Sequence, residues 1–163
     1  MANRAIYPGS FDPVTLGHLD IIKRSSELFD EVFVAVLHNV AKKPMFSMGH
    51  RMRMIKDLCA SCLNVHVIAF DGLLVDAAGE VGANIIVKGV RNLTDYQQEV
   101  EMANINRLLS GIETIFLPAR AEYTHISSRI VKELARYGGP LGEYVPKQVE
   151  AELQKVMRKE KET

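Results

Sequence analysis

The sequence predicts an α/β fold: a doubly wound, Rossmann-like sheet of five parallel strands with helices on both faces. Three observations predict it. Five short runs are apolar throughout, without the alternation of a half-exposed strand, as expected of strands covered on both faces. Segments of helical period separate these runs, giving a βαβαβαβαβα order whose crossovers are right-handed. The 163 residues fit one domain, 1–163, with no linker, internal repeat or low-complexity tract; a chain of this size buries roughly 70% of its unfolded surface.

The first strand is Ala5-Ile6-Tyr7, followed by a turn-rich segment to His18, with Thr15 placed to cap a helix. Leu19, Ile21, Ile22, Leu28 and Phe29 form that helix's apolar stripe. The second strand is Val32 to Leu37, and a helix after Ser47 carries Met52, Ile55, Leu58 and Cys59 on its inner face. Val65 to Phe70 and Ile85 to Val87 make the third and fourth strands. Thr94-Asp95-Tyr96-Gln97 reads as a capping box opening a helix that runs through Leu109 and stops at Gly111. The fifth strand is Thr114 to Leu117. Two helical segments close the chain, Ser128 to Tyr137 before Gly138-Gly139-Pro140, then Pro146 to about Lys159, and the polar end from Arg158 is expected to fray.

Twenty basic and twenty acidic residues give a net charge of zero. That balance argues against a partner such as nucleic acid or a membrane surface, which would need a strong positive field, and points to a small ligand. No apolar stretch reaches the ~18 residues of a membrane span and no signal-peptide pattern precedes the first strand, so a cytoplasmic chain is expected. Cys59-Ala60-Ser61-Cys62 has no second pair to complete a zinc site and falls inside a predicted helix, which favours a structural role. His38, His50 and His66 are expected on the surface or in satisfied core positions, whereas His125 stands close to a helix start.

In a doubly wound sheet, ligands bind beyond the carboxyl ends of the strands. The residues there are polar: Ser10 and His18 after the first strand, His38 to Lys43 after the second, Lys88-Gly89-Val90-Arg91 at the fourth, and Arg120 with Tyr123 to Arg129 after the fifth. Each has a plainer reading. Lys42 and Lys43 could be a solvated loop, Arg91 could pair with Asp95, and Ser127 or Ser128 could simply cap a helix. Convergence of three basic clusters and two helix starts on one crevice points instead to a phosphate-rich ligand. Neither a Walker A loop nor Gly-x-Gly-x-x-Gly is present, which weakens kinase and dehydrogenase readings.

Thr15-Leu16-Gly17-His18 and Ile126-Ser127-Ser128 resemble the paired phosphate-gripping elements of the nucleotidyltransferase superfamily. With Ala5 to Pro13, Lys42-Lys43-Pro44-Met45-Phe46, Gly89-Val90-Arg91 and Val131-Lys132-Glu133, in order and at family length, the chain is similar to bacterial phosphopantetheine adenylyltransferases. The resemblance implies reversible transfer of an adenylyl group from ATP to 4'-phosphopantetheine, giving dephospho-coenzyme A and pyrophosphate in coenzyme A biosynthesis. It also implies Mg2+ accompanying ATP, no protein metal site, and a homohexamer. By motif position, His18, Lys42 and Arg91 are the expected catalytic residues. Ser10, Lys42, Leu74 and Lys88 should bind phosphopantetheine. Ser10, Phe11, His18, Gly89, Val90, Arg91, Glu99, Tyr123, Thr124, His125, Ile126, Ser127, Ser128 and Arg129 should bind ATP. Four positions depart from the family pattern: Lys88 where arginine is usual, Ser10 for threonine, Arg129 for a third serine or threonine, and Tyr123 near a common tryptophan. A nucleotidyltransferase with another acceptor and a non-catalytic nucleotide sensor are the alternatives.

Overall fold

A computed structural model describes residues 2–38 and 43–162. Five strands, β1 (Arg4–Gly9), β2 (Glu31–Leu37), β3 (Val65–Phe70), β4 (Ile85–Val90) and β5 (Glu113–Pro118), form one parallel sheet in the order β3-β2-β1-β4-β5. All five predicted runs are strands, each extended by up to three residues. Six helices accompany them: α1 (Leu16–Leu28), α2 (Met48–Leu58), α3 (Leu74–Glu80), α4 (Leu93–Ser110), α5 (Ser128–Arg136) and α6 (Lys147–Glu162), with a 3-10 turn at Ala121–Tyr123. The winding reverses between β1 and β4, which is where a doubly wound sheet opens its ligand crevice. The ladder shows this opening directly. β1 pairs with β2 from Arg4 through Gly9, but with β4 only at Ala5 and Ile6, and beyond that point the two strands part.

Buried strands show why the runs lacked alternation. Ala5, Tyr7, Val32, Val34 and Val36 face the larger core, shared with Ile22, Ile55, Val131 and Leu153. Their neighbours Ile6, Ala35 and Ile86 face a smaller one with Phe70, Ala77, Ala78 and Ile112. Both faces therefore require apolar side chains. Gly111 (φ 75°) and Gly138 (φ 71°) adopt the left-handed conformation and end α4 and α5 where the sequence placed their stops.

Four details differ from the sequence reading, one being that α6 continues to Glu162, past the expected end near Lys159 and through the stretch expected to fray. The cap of α4 is Asn92, whose side chain accepts from Asp95 N at 2.9 Å, so Thr94 lies inside the first turn and does not cap it. Asn caps as well as Thr, and the Asp95 carboxylate is engaged elsewhere. Leu28, assigned to the inner stripe of α1, is 60% exposed as the helix's last residue. Finally, α2 ends at Leu58, leaving Cys59 as its C-cap and Cys62 beyond it. Burial first and Cys62 second push the Cys59 thiol up to about 11, which fits an inert structural cysteine.

Candidate active site

The turn after β1 is organised around Phe11. A Cβ on Gly9 would come within 2.9 Å of the Phe11 ring, so only glycine lets the ring fold back under the strand end. Phe11 has φ 47°, and its buried ring meets Tyr7 and His18 edge-on at centroid distances of 5.4 and 5.0 Å. Asp12 and a cis Pro13 follow.

Thr15 then caps α1 by a reciprocal arrangement. Its hydroxyl oxygen accepts from His18 N at 3.3 Å, and its own backbone N–H donates to His18 Nδ1 at 3.1 Å. His18 thus takes the place that Glu or Gln holds in a standard capping box. A ring nitrogen that accepts from an amide carries no proton, so the neutral imidazole bears its hydrogen on Nε2. Burial, helped by the positive charge of Arg91, lowers the His18 pKa to about 4. At neutral pH the side chain is an uncharged Nε2–H donor in the cavity wall.

The cations are fixed differently. Arg91 donates from Nε and Nη2 to the Asp95 carboxylate at 2.8 and 3.1 Å, and from Nη1 to Ile126 O at 2.9 Å. It pairs with Asp95, as the plainer reading had it, and lines the cavity too. Lys88 Nζ lies 3.0 Å from Glu99 Oε2. Ser127 caps α5 by accepting from Ile130 N, and the Ser128 hydroxyl donates to Pro13 O at 2.7 Å, joining the second helix start to the first turn. Gly89 lets β4 approach α1, since a Cβ there would stand 3.0 Å from Ile21 Cγ1.

These elements enclose a cavity of about 550 Å³. Among the predicted residues, Ser10, His18, Lys88, Gly89, Arg91, Glu99, Tyr123, Ile126, Ser127 and Ser128 line it. A second cavity of about 260 Å³ shares Ser10 and Ser128 with the first and adds Lys43, Arg51, Arg129 and Lys132 to its walls. Phe11 supports the site from beneath. Val90 ends β4 half-buried, its carbonyl accepting from Ala119 N. Thr124 and His125 are exposed outside both cavities; the Thr124 hydroxyl donates to Ala121 O and the His125 ring packs on Tyr144. Leu74 opens α3 against the smaller core cluster and lines neither cavity. Lys42 lies outside the described residues.

Sequence reasoning missed two buried charged groups, Asp12 and Arg51, at 5% and 3% exposure. Arg51 Nη1 donates to Ser10 O at 2.7 Å and to Leu37 O at 3.2 Å, tying the turn after β1 to the end of β2. Arg51 sits in α2 as an apparent surface charge, and nothing in its neighbourhood of sequence signals burial. Asp12 stood inside a quoted motif but carried no assigned task.

A neutral N–H donor, tethered cations and two helix starts can together hold a polyphosphate and meet charge developing on it. The chain's relatives agree with that chemistry. The Cytidylyltransferase-like family model matches residues 6–134. The phosphopantetheine adenylyltransferase of Caldanaerobacter subterraneus subsp. tengcongensis is 49% identical over 156 residues, spanning 95% of this chain and 98% of that protein. The chain belongs to the phosphopantetheine adenylyltransferase family. The phosphopantetheine adenylyltransferase of Symbiobacterium thermophilum is 52% identical over 144 residues, 88% of this chain and 89% of its own. Among solved structures, a lipopolysaccharide core biosynthesis protein from Thermoplasma volcanium superposes with TM-score 0.56 at 26% identity, covering 74% of this chain and 98% of that one. A Vibrio parahaemolyticus protein provisionally described as a nicotinate-nucleotide adenylyltransferase reaches TM-score 0.64 at 19% identity over 94% and 91% of the two chains, a likeness of fold.

Among the described residues of this phosphopantetheine adenylyltransferase family member, no group of three or more His, Cys, Asp or Glu is placed to hold a metal ion. The cavity's two carboxylates, Asp95 and Glu99, are each paired with a cation.

Proposed function

We propose that this chain catalyses reversible transfer of the adenylyl group of ATP to 4'-phosphopantetheine, forming dephospho-coenzyme A and pyrophosphate. The observation that carries this reading is the neutral, tautomer-fixed His18 facing the same cavity as Arg91 and Lys88 at the parting of β1 and β4. A phosphate oxygen of the acceptor attacks the α-phosphorus in line; the new O–P bond forms as the bond to the pyrophosphate oxygen breaks. The acceptor is already an anionic nucleophile, so no general base is needed, and positioning with charge stabilisation supplies the catalysis. His18 Nε2–H donates to a non-bridging oxygen as its charge grows. Arg91, Lys88 and Lys42 offset repulsion between the two phosphate groups, and the starts of α1 and α5 hold phosphate oxygens. Ser10, on the wall shared by both cavities, contacts acceptor and ATP alike. Gly89, Arg91, Glu99, Tyr123, Ile126, Ser127 and Ser128 hold ATP from the walls of the larger cavity, while the roles of Phe11, Val90, Thr124, His125 and Arg129 toward ATP and of Leu74 toward the pantetheine arm rest on the family resemblance alone. Mg2+ accompanying ATP would neutralise charge on the leaving pyrophosphate.

The proposal extends to a cytoplasmic homohexamer. Exposed Tyr96, Met102, Ile105, Leu108 and Leu109 on α4 supply an apolar surface suited to self-association, and no helix among the described residues is long and apolar enough to cross a membrane. Pyrophosphate release from ATP, measured against a panel of phosphorylated acceptors, tests the reaction. Turnover with phosphopantetheine is expected; turnover only with nicotinate mononucleotide or glycerol phosphate reassigns the acceptor. His18→Ala distinguishes an enzyme from a nucleotide sensor: turnover should vanish while ATP affinity stays within about tenfold, because a transition-state contact adds little to ground-state binding.

A further inference from the structure

Asp12 is a buried carboxylate with three donors and no direct place in the chemistry. Its Oδ1 accepts from Phe46 N at 2.9 Å; its Oδ2 accepts from Met45 N at 2.9 Å and from Lys132 Nζ at 3.3 Å. The first two bonds bridge 33 and 34 residues of sequence and the third bridges 120. One side chain therefore joins the turn carrying Ser10 and Phe11, the segment following Lys42, and the helix started by Ser127. We infer that Asp12 is a positioning residue that sets the register of the segment around Met45 and Phe46, whose Lys43 and Pro44 line the second cavity, against the turn carrying Ser10.

The chemistry requires a carboxylate at this position. Both oxygens face donors, so every orientation of an amide would set its NH2 against an N–H or an ammonium group. A carboxylate without a cation would be costly at this depth, and Lys132 supplies the cation while remaining 29% exposed. Arg51, which lines the same cavity as Asp12, holds the Ser10 carbonyl, so the turn is fixed at two points. Phe46 is buried, which gives its amide no alternative acceptor in water.

The inference rests on the adenylyltransferase reading for its kinetic consequence, but its structural part can be tested apart from it. Asp12→Asn should raise KM for phosphopantetheine about 10- to 100-fold, the range for charge-assisted bonds replaced by donor-donor contacts, with kcat and ATP affinity changed less than threefold. The Met45 and Phe46 amides should exchange with deuterium at least tenfold faster, while Val34 and Val36 amides keep their protection. Lys132→Met is the milder probe. It leaves both amide bonds, so KM should rise less than in Asp12→Asn, and the double variant should match Asp12→Asn alone. Equal loss of ATP affinity, a fall confined to kcat, unchanged Met45 and Phe46 exchange, or a double variant equal to the product of the singles would overturn the inference. Absence of turnover in the unmodified enzyme would refute the reaction, while the exchange measurement would still decide the role of Asp12.

Discussion

The protonation of His18 gives a quantitative test of the site. The drop of its pKa from 6.5 to about 4 is a factor of roughly 300 in proton affinity, about 3 kcal/mol. The unfolded chain takes up this proton as pH falls through 6.5, and the folded chain only near 4. Between those values the unfolded state binds more protons, so the contribution to stability is intact above pH 6.5 and is lost as pH falls toward 4, at up to about 1.4 kcal/mol per pH unit. His18→Gln isolates this contribution. Glutamine at the third helical position can still accept from Thr15 N–H, preserving the capping box, but it does not titrate. Urea unfolding of both proteins from pH 7.5 to 4 should show the stability difference moving about 3 kcal/mol against the native protein, with all other titrations cancelling. Nitrogen NMR of the free protein should find Nδ1 unprotonated and Nε2 protonated down to about pH 4. Arg91→Met should raise the midpoint without restoring 6.5, because burial is the larger cause. A midpoint near 6.5 in the native protein, or a proton on Nδ1, would refute the reasoning.

Arg91→Lys should lower kcat/KM about 10- to 100-fold in steady-state assays, because an ammonium group cannot span Asp95 and Ile126 O together. Gly89→Ala should cost about 1–3 kcal/mol in urea unfolding, since its Cβ would meet Ile21 Cγ1 at 3.0 Å in packed surroundings. EDTA should abolish turnover while moving the thermal midpoint by less than about 2 °C, and added Mg2+ should restore activity; a large loss of stability would reveal a metal held by the protein itself.

The fold was legible because its strands are covered twice. Val32 to Leu37 alternates between two cores, so both sets of side chains are apolar and the run reads as a strand without any period. Helix ends set by a single side chain or by a left-handed glycine, Thr15, Ser127, Gly111 and Gly138, were also legible. The start of α4 was misplaced because two acceptable caps compete within three residues, and the choice depends on Asp95 already being held by Arg91. α3 left no stripe to read, since small Ala77 and Ala78 make its inner face.

What the sequence concealed is which backbone groups the side chains around the site hold. Arg51 holds Ser10 O and Leu37 O, Asp12 holds the Met45 and Phe46 amides, Ser128 holds Pro13 O, and the amide of Thr15 sets the His18 tautomer. Backbone donors and acceptors are the same at nearly every residue, so the sequence leaves no mark of which ones are taken. The two cavity cations differ in what they hold. Lys88 meets a single carboxylate oxygen of Glu99, a task a point charge performs. Arg91 uses three nitrogens at once, two on Asp95 and one on the carbonyl that precedes the α5 cap, and at that position only the guanidinium fork can join the two halves of the site.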